Sequence, residues 1–466
     1  MRLHGLSVRE DTHLRSYQKE ALAEFVDNDY IGVFEMATGT GKTITSLFCA
    51  NEFLKKKKGI FLIIVVPYTH LIDQWIKNLV NENLFENHQI IRCYKNTNNW
   101  KNKLHKKIRD YNAGFSQKEC IVTTYKSLTN KNLWNFISRI KRNSFLIADE
   151  CHNIGVVSLK KYDFSLIDGR LGLSATPERW FDEKGTQRIR DIFDKTVFEY
   201  PLEKAIEDNF LVEYEYHPIV VQLTDQEIQQ YEKLSYLIAK AYSDDDIDED
   251  EINKLKRRRS LIILKAEEKE QRFFELLSGY NTVIEDTILY CAQKEIEFYT
   301  KKLSNMGLKV HRFDSKINKN SDRRKLIERF SRKEVQILIA IRCLDEGVDI
   351  PSVQNAYLLA STTNPKEFIQ RRGRILRKYS GKEKAVLFDF IVLPENIRRK
   401  TFLSIAYREM PRFSEFSRSA RNKFSARKLV RPILEQYNCE HLLDISPWEV
   451  YQEQRKKWIG DVDLDD

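Results

Sequence analysis

Residues 37–43 read Ala-Thr-Gly-Thr-Gly-Lys-Thr, and residues 149–152 read Asp-Glu-Cys-His. The first string suits phosphate. In a tight turn through Thr38, Gly39, Thr40 and Gly41, the glycines let backbone N–H groups approach an anion. The helix that follows would point its positive N-terminus at the same place. Lys42 is predicted to reach the β- and γ-phosphates, and Thr43 to ligate Mg²⁺. The second string suits metal and water. Asp149 would hold Mg²⁺, mostly through water, and Glu150 would orient and deprotonate an attacking water. Each string follows an apolar run that reads as a buried strand, 31–35 and 144–148. Two carboxylates at a loop start are commonplace alone. With the phosphate turn they predict hydrolysis of a nucleoside triphosphate.

One residue of the second string and two further strings fall in place around this pair. His152 is a candidate relay of nucleotide state. Ser174-Ala175-Thr176 follows the strand pattern around Leu171, and its hydroxyls are candidates to bond His152 or Asp149. Leu14-Arg15-Ser16-Tyr17-Gln18 lies upstream of the first strand. A Gln amide offers a donor and an acceptor in one plane, which matches the adenine edge. Gln18, with Arg15, is therefore assigned to ATP.

These residues need a scaffold. Residues 15–200 alternate short apolar runs with amphipathic stretches. Strands are expected at 31–35, 60–66, 90–94, 120–123, 144–148, 170–174 and 196–199, with helices such as Thr43–Lys55 and Thr69–Val80 between them. This rhythm predicts a parallel sheet covered by helices on both faces. The rhythm stops over 201–280, where Leu211–Leu223 reads as extended and Thr224–Ala241 and Glu251–Ser278 read as long charged helices. It resumes at 287–291, 309–313, 336–340, 355–359 and 385–388. The division is thus 1–200, an interdomain arm 201–280, a second α/β domain 281–395, and a polar helical extension 396–466 with Trp448 and Trp458.

Composition narrows the class. The chain has 466 residues, 42% hydrophobic and 31% charged, as in ordinary globular proteins. No apolar run approaches the roughly 18 residues of a membrane span, and the N-terminus lacks the long apolar region of a signal peptide. No membrane partner is expected. The seven cysteines form no CxxC pair. A reduced, cytoplasmic setting is expected, without a disulfide framework or a zinc site. Lys and Arg outnumber Asp and Glu by 78 to 68. Basic runs at 55–58, 101–109, 256–259, 398–400 and 418–428 stand apart from acid at 244–251 and 461–466. One basic run is usually a solvated helix face; several with the acid segregated suggest a polyanion track.

The motifs and their order resemble those of superfamily 2 helicases of the DEAD/DEAH-like type, over nearly all of residues 14–395. Met36 stands where the general phosphate-loop pattern has glycine, a position that many helicases relax. Residues 341–351, Ile-Arg-Cys-Leu-Asp-Glu-Gly-Val-Asp-Ile-Pro, resemble motif V, and 370–377, Gln-Arg-Arg-Gly-Arg-Ile-Leu-Arg, resemble motif VI. The resemblance implies an α/β fold of two tandem RecA-like parallel-sheet domains. It makes Arg374 and Arg377 the arginine fingers, places Gly347 and Asp349 near the ribose, and makes Gln370 a coupling residue. Residues 65–75 resemble motif Ia, with Pro67 and Thr69, a candidate helix cap, as phosphate contacts. Val122-Thr-Thr-Tyr-Lys126 resembles motif Ib, with Thr124 and Tyr125 as hydroxyl donors, and Arg342 joins this nucleic-acid set. Tyr290 to Gln293 resembles the motif IV region. Trp75 reads as helix core, from its spacing with Leu71 and Leu79, or as a base-stacking wedge.

Motif II is Asp-Glu-Cys-His and motif VI begins with Gln, unlike typical DEAD-box RNA helicases. Residues 203–216 and 223–231 resemble xeroderma pigmentosum group B-type helicases, near the helicase engines of type I and type III restriction enzymes. The implied activity is an ATP-dependent DNA helicase or translocase, using ATP and Mg²⁺ on duplex, forked or single-stranded DNA, with 3′-to-5′ movement as the family tendency. Its setting would be DNA repair, restriction or antiviral defence in a bacterium or phage. Two alternatives stay open: an ATP-gated subunit that licenses a partner protein such as a nuclease, and an RNA remodeller.

Overall fold

A computed structural model describes residues 14–94, 100–179, 182–243, 248–279, 284–313, 320–341 and 350–450. Arg342, Gly347, Asp349 and Trp458 lie outside these residues. The chain divides into two compact units, residues 1–210 and 211–466.

The first unit runs α1 (Ser16–Asp27), β1 (Ile31–Met36), α2 (Lys42–Lys57), β2 (Ile60–Val66), α3 (Thr69–Asn81), β3 (Ile90–Cys93), α4 (Trp100–Asn112) and β4 (Lys118–Thr124). It continues with α5 (Tyr125–Leu128), α6 (Lys131–Ile137), β5 (Ser144–Asp149), β6 (Gly169–Ser174), α7 (Glu183–Phe193), β7 (Thr196–Tyr200) and α8 (Leu202–Glu207). Its seven strands are parallel in the order β3-β4-β2-β5-β6-β1-β7. Every residue of β2 is buried. A strand with helices over both faces has no polar side to show, so its sequence is an unbroken Ile-Phe-Leu-Ile-Ile-Val-Val run. On one face Val33, Phe61, Ile63, Val65, Leu146 and Ile121 form the core.

The second unit runs β8 (Glu213–Val221), α9 (Asp225–Tyr242), α10 (Glu249–Leu264), α11 (Glu268–Ser278), β9 (Thr287–Tyr290), α12 (Ile296–Asn305), β10 (Val310–Phe313) and α13 (Asn320–Ser331). It then runs β11 (Ile337–Ala340), β12 (Asn355–Leu358), α14 (Pro365–Ile375), β13 (Lys384–Val392), α15 (Arg399–Arg418) and α16 (Lys423–Gln436). Its six strands are also parallel, in the order β10-β11-β9-β12-β13-β8. The fold is therefore α/β, with two parallel-sheet units.

The segment read as an interdomain arm, 201–280, is not a separate body. Residues 201–210 belong to the first unit. The extended stretch is β8, an edge strand paired with β13 along its whole length. An edge tolerates Pro218, which offers no N–H to a ladder. The single long helix expected at 251–278 is two. The N–H of Glu267 donates to Oε1 of Glu227 at 3.1 Å in the break, and α11 turns Phe273 and Leu277 onto the sheet core beside Leu289, Ile339 and Phe390. The extension at 396–466 is likewise no appendage over its described part. Ile405 of α15 enters the same core. The buried guanidinium of Arg412 donates to Asp389 of β13 at 2.9 and 3.1 Å and to Glu409 at 2.9 Å.

Candidate functional site

The phosphate turn leaves the C-terminal end of β1, where parallel sheets place ligands. Gly39 and Gly41 both have φ of +88°. A Cβ on Gly41 would stand 2.7 Å from Nε2 of Gln18. Oγ1 of Thr40 donates to the carbonyl of Ala37 at 2.7 Å, and the Tyr17 hydroxyl donates to the carbonyl of Thr40 at 2.5 Å. Tyr17 in turn stacks on Tyr200 at 4.0 Å between ring centroids. Nζ of Lys42 donates to the carbonyls of Met36 at 2.8 Å and Ala37 at 3.4 Å, so its charge lies over the loop. Thr43 is partly exposed in the first turn of α2. Oγ1 of Thr38 is buried and makes no hydrogen bond. The cradle, the positive helix start and this orphan hydroxyl fit a bound polyphosphate.

Gln18 is buried, and its Nε2 approaches the carbonyl of Gly41 at 3.5 Å. Its Oε1 accepts the N–H of Arg15 at 3.0 Å. The exposed Arg15 lies 4.1 Å over the Phe210 ring and donates to the Tyr17 hydroxyl at 3.1 Å.

Asp149 ends β5 and Ser174 ends β6, with β6 lying between β5 and β1. The two acids therefore start about 10 Å from the phosphate turn, two strand spacings away. Asp149 and Glu150 are partly exposed. Glu150 adopts a left-handed conformation, φ +50° and ψ +59°, uncommon for a residue with a side chain. Its Oε2 lies 3.5 Å from Nδ1 of His152. That nitrogen is also 3.3 Å from Oγ of Ser174, while Nε2 is 2.9 Å from Asn153 Nδ2. Oγ of Ser174 accepts the N–H of Thr176 at 3.1 Å, and Oγ1 of Thr176 is buried without a hydrogen bond. The structure thus brings Glu150, His152 and Ser174 into one chain. Thr43, Asp149 and Glu150 are hard oxygen donors of the kind Mg²⁺ takes.

Several contacts matter here that sequence patterns did not mark. Nε1 of Trp75 donates to Oδ2 of Asp149 at 2.9 Å. Trp75 is buried, so it is core rather than a stacking wedge. Arg179 donates to the carbonyl of His152 at 2.6 Å. The carboxyl of Glu35, one residue before the end of β1, is pushed up to about 7 by burial, and further by Glu199 and Glu178.

Two of the expected nucleic-acid residues, Thr124 and Tyr125, turn inward. Tyr125 is buried and its hydroxyl donates to the main-chain carbonyl of Asp149 at 2.8 Å. It is not a surface donor. Thr124 is buried too; its Oγ1 caps α5 by accepting the N–H of Ser127 at 3.1 Å. The cap of α3 is Tyr68, whose side chain makes no capping bond, and Thr69 is an exposed first-turn residue instead. Pro67 is partly exposed.

Within the second unit, α14 carries Gln370, Arg374 and the approach to Arg377. Arg374 and Arg377 are partly exposed. Their neighbours are committed to packing. Arg371 lies 4.3 Å over the Tyr290 ring and donates to the carbonyl of Ala360 at 3.3 Å. Arg372 is 1% exposed and donates to the carboxylate of Glu415 at 2.5 Å and its carbonyl at 2.6 Å. The Gln370 amide is buried, with neither polar atom hydrogen-bonded.

Comparison with known proteins agrees with this arrangement. Residues 11–179 match the family described as type III restriction enzyme, res subunit, and residues 268–379 match the helicase conserved C-terminal domain. A relative named DNA 3′-5′ translocase XPB2, from Sulfurisphaera tokodaii, is 24% identical over 418 residues, spanning 83% of this chain and 82% of its own. Among solved structures, the helicase domain of Pyrococcus furiosus Hef has a TM-score of 0.53 at 15% identity, covering 85% of this chain and 99% of that one. A type ISP restriction-modification enzyme, LlaBIII bound to DNA, has a TM-score of 0.58 at 17% identity. It covers 94% of this chain, which spans only 30% of that enzyme. Two parallel-sheet units, a phosphate turn on the first and both matched regions in helicase order mean that the chain belongs to the superfamily 2 helicases, as an ATP-hydrolysing enzyme.

Proposed function

We propose that the chain couples ATP hydrolysis to movement on, or remodelling of, duplex or branched DNA, in the 3′-to-5′ direction. The observation that carries the reading is the array on one sheet edge: the turn around Lys42, the acids Asp149 and Glu150, and the His152–Ser174 contact at 3.3 Å. Gln18 and Arg15 would hold the adenine side, and residues 38–43 the phosphates. Thr43 and Asp149 would hold Mg²⁺, which when bound neutralises phosphate charge. Glu150 would take a proton from the attacking water, and His152 and Ser174 would pass the nucleotide state onward. Arg374 and Arg377 would supply positive charge to the γ-phosphate, worth roughly 10³–10⁵ in rate for such arginines.

DNA as the track is supported by the name of the XPB2 relative and by the DNA-bound restriction enzyme. The outer face of α9 and α10 supports a polyanion. Lys233 and Lys240 lie exposed on α9, and Lys254, Arg257 and Arg258 on α10, with Lys265 after it. Tyr236, 68% exposed, stands among them. Cations recurring at helical spacing with an exposed aromatic ring suit a phosphate backbone. The restriction-type relatives support a place in restriction, repair or defence. Among the described residues, the six cysteines are buried and unpaired, which suits a reducing, cytoplasmic compartment.

The test is steady-state ATPase without polymer and with single-stranded, duplex and forked DNA and RNA. Stimulation by DNA that disappears in Glu150→Gln, with ATP binding kept, is the expected result. Stimulation by RNA alone would overturn the DNA assignment. Stimulation without strand displacement would point instead to an ATP-gated switch that licenses a partner such as a nuclease.

A further inference from the structure

The metal-side acid is held from two directions. Nε1 of Trp75, on α3, donates to Oδ2 of Asp149 at 2.9 Å. The hydroxyl of Tyr125, on α5, donates to the main-chain carbonyl of the same residue at 2.8 Å. Both donors are buried, Trp75 at 2% and Tyr125 at 6% exposure, while Asp149 is partly exposed. A bond from an indole N–H to an ionised carboxylate in such a setting is strong and directional. It fixes one carboxylate oxygen and so restricts the rotation of the group.

We propose that Trp75 is a positioning residue for Asp149, and that α3 and α5 together set how well this acid receives the magnesium of Mg·ATP. This rests on the proposed role of Asp149 as the metal-side acid. The helix α3 begins two residues after Pro67, past the C-terminal end of β2, and α5 begins directly after Thr124, the last residue of β4. A displacement of either helix therefore reaches Asp149 through one hydrogen bond. Groups that orient a ligating carboxylate typically matter by about 10–100-fold in metal affinity.

The test separates metal from nucleotide. Calorimetry would compare binding of ADP with and without Mg²⁺ to wild type, Trp75→Phe, Tyr125→Phe and Trp134→Phe. Trp134 is a buried tryptophan of the same unit that stacks on Tyr162. The expected result for Trp75→Phe is a loss of the Mg²⁺-dependent gain in affinity by about tenfold, with metal-free ADP binding unchanged. Trp134→Phe should keep the wild-type ratio. Tyr125→Phe removes one oxygen and no packing, and should shift the ratio in the same direction as Trp75→Phe; it decides the matter if Trp75→Phe does not fold. Equal losses with and without Mg²⁺, or an unaltered ratio in both variants, would overturn the inference alone. A wild-type chain that binds no nucleotide would overturn the proposed function as well.

Discussion

Gly41 and Gln18 are fitted to each other: a Cβ at position 41 would stand 2.7 Å from the Gln18 amide nitrogen, on a backbone with φ of +88°. Gly41→Ala must therefore strain the turn and push Gln18 aside. We expect at least about a tenfold loss of ATP affinity, since each 1.4 kcal/mol is tenfold. Gln18→Ala should keep the turn but narrow the preference for ATP over GTP. Competition binding of the two nucleotides reads both effects; a Gly41→Ala variant with full affinity would contradict the fit.

The exposed cations of α9 and α10 make a salt-dependence prediction. Each phosphate contact contributes about 0.9 to the slope of log affinity against log salt on duplex DNA. Replacing Lys254, Arg257, Arg258 and Lys265 by Gln should lower that slope by up to about 3.5 while leaving polymer-free ATPase intact. Fluorescence anisotropy titrations across salt concentrations measure it. An unchanged slope would mean that this face is merely solvated.

Arg412 is 3% exposed between Asp389 and Glu409, which are as deeply buried. Arg412→Met would strand two carboxylates in the core of the second unit, at a cost of about 3–5 kcal/mol. Arg421, 3.5 Å from Glu213 on the surface, is the control. Exposed pairs contribute little, so Arg421→Ala should leave the urea midpoint where it is.

Glu35 should make stability depend on pH. Its carboxyl is pushed up to about 7, from an ordinary value of 4.5, mainly by burial. The folded state binds this proton more tightly than the unfolded chain. The contribution is thus complete below about pH 4.5 and is lost as pH rises through about 7. Glu35→Gln stays neutral, so its stability relative to wild type should rise by about 1–2 kcal/mol between pH 5.5 and 8.5. Urea melts of both proteins at the two pH values check the sign.

Strands of the two sheets were legible because buried parallel strands leave continuous apolar runs, as in β2 and β5. The strand β8 was legible only as an extended stretch within 211–223. Its place in the second sheet was not, because its partner β13 lies far along the chain. Glycines and charges of the phosphate turn, and Asp149 with Glu150, announce themselves by type and spacing. Hydroxyls do not. Thr124 and Tyr125 read the same whether they face a polymer or the protein, and only packing turns them inward. Spacing with Leu71 and Leu79 was enough to bury Trp75, but nothing in a helical repeat reports which acid an indole N–H will find.

The pairing of β8 has a consequence for synthesis. The first unit has all seven of its strands once residue 200 has been made, so it can close while the rest of the chain is still being translated. The second unit cannot. Its opening strand pairs, among the described strands, with β13 alone, and β13 ends at Val392. Until then β8 must leave the ribosome with an unpaired edge, and a long-range contact of this kind forms slowly. Nascent chains stalled within the second unit are therefore where aggregation should begin.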